Sequence, residues 1–243
     1  MNRWFTLFAL LSLGVRSAHA ADAVAAPKPP FTHTPLNVAN GCFVESVAFY
    51  DEFMEKNGAS AWCRLLQWGA KEEEEVVAGH AVAVFESGGG LWSWDVNFGF
   101  SPLDIDPAKR DDAVLISAPL TARYPKISAQ YPLYRLDFSQ TPEDPPPVEL
   151  DPTNELGLRD ASRVAARLAR HRPVRLVQFT WLKDGTTVPG AACAFVFNGR
   201  LCVYVPAFGT IPFHVSALSV ANLHQLQELL KRICPGTGAL TVR

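Results

Sequence analysis

The chain has almost no excess of charge of either sign. Its 22 Lys and Arg stand against 24 Asp and Glu in 243 residues, a formal net charge of −2. Such a balance supplies no basic surface for nucleic acid or for an anionic membrane, so neither is expected as a partner. Long apolar runs are missing too. The one near the N-terminus is far shorter than the ~20 residues that a spanning helix needs, and no other stretch is long enough. Also absent are close Cys-x-x-Cys and His-x-x-x-His pairs, which speaks against zinc, and no metal or cofactor is expected. Cysteine is scarce and odd in number: Cys42, Cys63, Cys193, Cys202 and Cys234. If four of them pair, one thiol stays free, and Cys42 is the natural candidate.

What is present is enough apolar material for a folded core, 48% of residues. Residues 1–20 read as a secretory signal, with Arg3, a short apolar stretch from Trp4 to Leu13 and a small-x-small end at Ala18-His19-Ala20. Export, to the periplasm in a bacterium, with no membrane association after cleavage, is the corresponding expectation. Residues 21–35 are rich in Pro and Ala and read as a linker with little to bury. A first unit is expected over 36–140, a second linker over 141–152 (it contains Pro-Glu-Asp-Pro-Pro-Pro) and a second unit over 153–243. The charged run Lys71 to Glu75 reads as a solvated loop.

The first unit is organised around Gly79 to Gly99, which reads as a β-hairpin opened by His80. Two runs rich in Val, Phe and Trp flank Ser-Gly-Gly-Gly, and Gly supplies the positive φ of a tight turn. With a two-residue loop at Gly88-Gly89, Ser87 faces Gly90 and His80 faces Asn97. Asp95 then shares a face with His80 as its diagonal neighbour. With a three-residue loop, Asp95 turns to the other face. The same-face register puts a carboxylate beside an imidazole, a pair that can orient a general base. Upstream, Asn40-Gly41-Cys42 precedes a helical pattern expected from Gly41 to about Lys56. A thiol there feels the positive end of the helix dipole, which favours the thiolate. Trp92 and Trp94 read as core or cleft wall, and Asn97 as a supporting hydrogen bonder or a strand end. A helix with Pro107 in its first turn is expected over 106–120, and a closing strand over 131–138.

Cys42, His80 and Asp95, in that order and with Trp92 three residues before Asp95, resemble the papain-like cysteine peptidase superfamily. The resemblance is nearest to its transglutaminase-like branch and next to the bacteriocin-processing peptidase branch, and it spans Asn40 to Gly99. It implies an α+β fold with a helix packed on an antiparallel sheet. It also implies a thiol-dependent acyl transfer with Cys42 as nucleophile, His80 as base and Asp95 as its orienter, acting on a peptide or protein. No Gln precedes Cys42 to serve the oxyanion, so Asn37 or Asn40 would have to substitute. The Gly-x-Pro-x-Arg run of transglutaminase cores is absent.

The second unit echoes the first. Val174 to Phe179 matches Cys63 to Trp68, and Gly190 to Gly209 matches Gly79 to Gly99 if one residue is deleted in the turn. Helices are expected over 160–170 and 216–232. In this matching Ala191 replaces His80 and Val205 replaces Asp95, and no Cys stands at the helix start. The expectation is an internal duplication whose second copy is degenerate. An Asn198-Gly199 hairpin puts Cys202 across from Phe195, which leaves no bridge between Cys193 and Cys202. The alternative to an enzyme is a non-catalytic, duplicated binding module of the cell envelope.

Overall fold

Helix α1 (Cys42–Asn57) starts directly after Gly41 and stops at Gly58, whose φ of 84° ends the helix as only Gly does cheaply. Glu45 in its first turn and Lys56 in its last suit the helix dipole. Its buried face includes Val44, Val47, Ala48, Phe49 and Phe53, and also two acids, Glu45 and Asp51. Each acid is satisfied. Glu45 accepts the backbone N–H groups of Leu36 (2.8 Å) and Asn37 (2.6 Å), which pins the incoming chain onto the helix. The structure, a computed structural model, describes residues 31–72, 75–124, 133–136, 155–213 and 222–242. The expected signal over 1–20, most of the expected linkers and the start of the helix expected at 216 lie outside them. The stretch expected to be a linker up to Pro35 is packed from Phe31 onward. The Phe31 ring lies edge-on to Phe49 and Phe53, and His33 sits buried against Trp94 with Nδ1 2.8 Å from Glu52.

Four antiparallel strands follow as a meander: β1 (Cys63–Glu72), β2 (Glu75–Ser87), β3 (Gly90–Asp95) and β4 (Gly99–Leu103). Lys71, Glu72 and Glu75 of the expected loop are therefore strand. Glu72 pairs with Glu75 at the tip of the β1–β2 arm, and His80 lies within β2 rather than at its start. The ladder of that arm shifts between Ala70 and Lys71, the mark of a bulge that takes up one extra residue. Instead of one helix from 106, the chain forms a 3-10 turn (Pro107–Lys109) and then α2 (Ala113–Thr121). Asp106 and Asp112 each cap their own turn, accepting the N–H of Ala108 and of Leu115, so two starts replace one. β5 (Leu133–Leu136) closes the other edge of β1, giving a five-stranded sheet in the order β4-β3-β2-β1-β5.

The second half runs in the same order. α3 (Glu155–Leu168) precedes β6 (Val174–Lys183), β7 (Thr186–Phe197), β8 (Arg200–Val205) and β9 (Gly209–Phe213); α4 (Leu223–Ile233) and β10 (Thr241–Val242) follow. This sheet has the order β10-β6-β7-β8-β9. The molecule is thus mixed α+β, with two antiparallel sheets and four α-helices among the described residues. α1 and α3 lie between the sheets. Their shared apolar cluster includes Val44 and Val47 of α1, Val164 and Leu168 of α3, Leu65 and Ala81 of the first sheet, and Phe195 and Tyr204 of the second. α2 covers the outer face of the first sheet through Ile116 and Leu120, and α4 that of the second through Leu226, Leu229 and Leu230. The two halves therefore share one central core.

The register corrects the matching made from sequence. Both hairpin loops have two residues, Gly88-Gly89 and Asn198-Gly199, so nothing is deleted in the turn. Trp68 pairs with His80, whereas Phe179 pairs with Gly190. Gly190, not Ala191, stands where His80 stands, and the odd residue is the one in the β1–β2 bulge. A Cβ on Gly190 would lie 2.7 Å from the Phe179 ring, so that ring closes off the place of a side chain there. Val205 does stand where Asp95 stands, each pairing with the Gly that opens the next strand.

An ion pair crosses between the halves. Arg172 meets the Asp51 carboxylate with Nε 2.9 Å from Oδ2 and with a second contact from Nη2, and its Nη1 donates to the Val196 carbonyl at 2.6 Å. Both side chains are nearly buried, so removal of one partner strands the other charge. Asp51→Ala should lower unfolding free energy by about 3–5 kcal/mol, measured from the denaturant midpoint at unchanged slope.

Candidate active site

The Gly88-Gly89 loop fixes the site. Both residues have positive φ, 61° and 76°, as a tight two-residue hairpin requires. Ser87 pairs with Gly90 and Val84 with Ser93, which places Asp95 on the face that carries His80, Val82 and Val84. This is the outer face of the first sheet. Trp92 and Trp94 lie on the inner face, where Trp94 stacks on Phe49 at 5.3 Å, so they are core and not part of the site. β3 ends at Asp95, before the position across from His80, and the sheet beside the imidazole is open there.

His80 Nε2 lies 3.1 Å from Asp95 Oδ2. Asp95 is buried, 1% exposed, and its other oxygen accepts the backbone N–H of Asn97 at 2.8 Å. Tyr124, just past α2, completes the group. Its hydroxyl is 2.8 Å from His80 Nε2, donates to Asp95 Oδ2 at 3.0 Å and accepts from the Asn97 amide at 3.2 Å. Asn97 therefore supports the pair in two ways, through its backbone to Asp95 and through its side chain to Tyr124. The imidazole is walled by Trp68 and Tyr124, with ring centroids 5.0 and 4.9 Å away.

With Nε2 committed to Asp95 and Tyr124, the other ring nitrogen is left for the thiol. The Cys42 sulfur acts on the His80 ring and favours its charged form, and Sγ lies 4.0 Å from the carbonyl oxygen of Gly79, the residue before His80. The chain thus brings Cys42, His80 and Asp95 together from the start of α1, the middle of β2 and the end of β3. Cys42 is also the one partly exposed cysteine of the five; the other four are buried, and no two are bonded to each other. Burial pushes the Cys63 thiol up, and the Cys193, Cys202 and Cys234 thiols up to about 12, which keeps them protonated and inert at neutral pH.

Burial alone would strip the proton from His80. Hydrogen bonds to Asp95 and Cys42 and the charges of the same two groups outweigh it and push the imidazole up to about 9. Burial also works against the Asp95 carboxylate, yet His80, the Asn97 N–H and the Tyr124 hydroxyl hold it below its ordinary value. Burial and the neighbouring Asp95 charge push Tyr124 up, so its hydroxyl keeps its proton and remains a donor.

Asn40 does not point its amide at the thiol. Its Nδ2 donates to the carbonyls of Pro206 (3.0 Å) and Ala207 (3.2 Å), so both donor hydrogens go to the second half. The oxyanion role considered for this side chain is therefore not carried by it. Asn37 has its backbone N–H on Glu45 and, like Asn40, a positive φ, which suits a shape-forming role in the turn before α1. Tyr124 gave no signal in the sequence, because an isolated Tyr beyond a helix has no spacing relation to His80 or Asp95. Among the described residues no group of three or more His, Cys, Asp or Glu could hold a metal ion. No family model, curated protein or solved structure matches the chain.

The raised His80 value has a pH signature. The folded protein holds this proton up to about 9, whereas the unfolded chain releases it near 6.5. Between these values the folded state binds more protons, so stability is fully present below 6.5 and falls as pH rises through 9. Thermal melting followed from pH 6 to 10 should show this fall in the parent and a flatter profile in His80→Asn.

Proposed function

We propose that the chain is a thiol-dependent acyl-transfer enzyme, a cysteine peptidase, amidase or transglutaminase-like enzyme of papain-like type. The observation that carries this reading is the His80–Asp95 pair, 3.1 Å apart, with the partly exposed Cys42 beside Gly79 acting on the same ring. In this reading His80 holds the proton given up by the thiol, and Cys42 Sγ attacks the carbonyl carbon of a peptide or amide, forming a C–S bond as the carbonyl π pair moves onto oxygen. The oxyanion is met by backbone N–H groups at the start of α1, which a helix leaves without internal partners. The tetrahedral intermediate collapses as His80 protonates the leaving amine, and an acyl-enzyme remains. An acceptor then attacks, passes its proton to His80 and expels Cys42 as the thiolate. Water as acceptor gives hydrolysis, and an amine gives transglutamination. Asp95 and Tyr124 act on the imidazole rather than on substrate, fixing its orientation and stabilising its charged form.

The second half supports the reading by contrast. We infer that it is a degenerate copy of the first, because element order, sheet order and hairpin loop length recur in it. Where the first half has the half-buried His80 and the buried Asp95, the second has Gly190 under the Phe179 ring and the apolar Val205. Burying an imidazole and a carboxylate is costly unless they pair. If the second half is such a copy, the architecture folds without them, which supports a chemical use for the pair. The export expected from residues 1–20 is retained in this proposal.

Alkylation tests the reading without knowledge of the substrate. Iodoacetamide at pH 6 should label Cys42 faster than any other cysteine, and His80→Ala should slow that labelling by about tenfold or more. Asp95→Ala should slow it less, since Asp95 acts through the ring. Labelling of Cys42 that ignores His80 would favour a non-catalytic binding module.

A further inference from the structure

The backbone just before the nucleophile is held by the second half. Ala39, Asn40 and Gly41 form the turn from which Cys42 enters α1. Asn40 is in the left-handed region, at φ 49°, a conformation that costs a non-Gly residue energy. Gly41 is required on steric grounds, since a Cβ there would stand 2.5 Å from the Val38 side chain. Just before Asn40, both backbone polar groups of Ala39 run to partners far away in sequence. The Ala39 N–H donates to Asp160 Oδ2 of α3 at 3.0 Å, and the Ala39 carbonyl accepts from the Tyr204 hydroxyl of β8 at 2.6 Å. Tyr204 and Asp160 are both buried. The Asn40 amide reaches the carbonyls of Pro206 and Ala207, and the Gly209 backbone approaches so closely that a Cβ would lie 3.1 Å from the Asn40 oxygen.

The turn that receives Asn40 is the β8–β9 turn. By register it occupies the place that the β3–β4 turn, with Asp95 and Asn97, occupies in the first half. We propose that the second half is the positioning device for the nucleophile: its former site turn, with Tyr204 and Asp160, clasps Ala39-Asn40-Gly41 and so fixes where Cys42 presents its sulfur to His80. The proposal rests on the thiol chemistry above. It makes Asn40, Tyr204, Asp160 and Gly209 positioning residues, none of which touches the reacting atoms. A sulfur displaced by an ångström loses its imidazole partner, and misplacements of that size cost up to about a hundredfold in rate. It also gives a reason for a second copy that lacks the paired groups: the clasp uses carbonyls, a Tyr hydroxyl and a glycine at the matching turn.

Three variants of the full chain isolate the clasp. Tyr204→Phe removes one hydroxyl and keeps the ring. Asn40→Gly keeps the left-handed turn accessible and removes both amide bonds. Gly209→Ala adds a methyl group against Asn40. Hydrogen exchange across 36–45 reports whether the turn is held, and the iodoacetamide rate of Cys42 from pH 6 to 9 reports whether the sulfur is placed. In each variant exchange at Ala39 should quicken and Cys42 alkylation near pH 6 should fall about tenfold. The deficit should narrow toward pH 9, where free thiols ionise unaided. A cooperative melt checks that each variant is folded. Exchange equal to that of the parent, or faster exchange with an unchanged alkylation profile, overturns the proposal. Failure of the enzyme reading looks different: the parent itself would then show a Cys42 rate indifferent to His80→Ala, and the exchange data alone would judge whether the second half holds the turn.

Discussion

A two-residue turn at Gly88-Gly89, with φ of 61° and 76°, sets the register of β2 against β3. One residue more would move Asp95 from the face of His80 to the face of Trp92 and Trp94, into aromatic core where a carboxylate has no partner. Everything at the site depends on that register. With it, Asp95 meets His80, the Asn97 N–H meets Asp95, and the Tyr124 hydroxyl finds Asp95 as acceptor and His80 Nε2 and the Asn97 amide as donors within 3.2 Å. The same groups then reverse the effect of burial on the imidazole. A buried ring in an apolar wall of Trp68 and Tyr124 would ordinarily stay neutral, and here the carboxylate and the thiol make the charged form the favoured one.

The halves are not beads on a string. α1 and α3 share one core between the sheets, Arg172 pairs with Asp51 across it, and Arg167 reaches Glu52 at 2.5 Å. The first residue of α1 is Cys42, so any shift of this central layer against the first sheet would move the thiol relative to His80. Packing and chemistry are therefore linked through α1: its buried face is anchored by both sheets, its start is tied to β8 and the turn after it, and its N-terminal residue carries the sulfur.

Much of this was legible in the chain. The Gly-Gly turn, the runs of Val, Phe and Trp on either side of it, and the helical pattern after Cys42 are local signals, and local signals predicted these elements closely. What escaped was of two kinds. Long-range partners leave no spacing: Tyr124 comes from beyond α2, and the amide of Asn40 finds carbonyls 166 and 167 residues away. One-residue irregularities also hide. The run Gly88-Gly89-Gly90 against Asn198-Gly199 suggested a shorter second turn, whereas the ladder absorbs the extra residue as a bulge in the β1–β2 arm. A bulge costs the sheet little and has no obligatory residue type, so sequence matching assigned it to the glycines. The charged residues Lys71, Glu72 and Glu75 misled for a related reason, because the end of a strand tolerates the same residues as a loop.

The central claim is that Asp95 and Cys42 both act on the His80 imidazole and favour its charged form. The nitrogen chemical shifts of the His80 imidazole, followed against pH in the parent and in Cys42→Ala, test it most directly. The account predicts a ring that stays doubly protonated through neutral pH, with a midpoint near 9 in the parent that drops when the thiol is removed. A midpoint near the ordinary 6.5 in both proteins would contradict it.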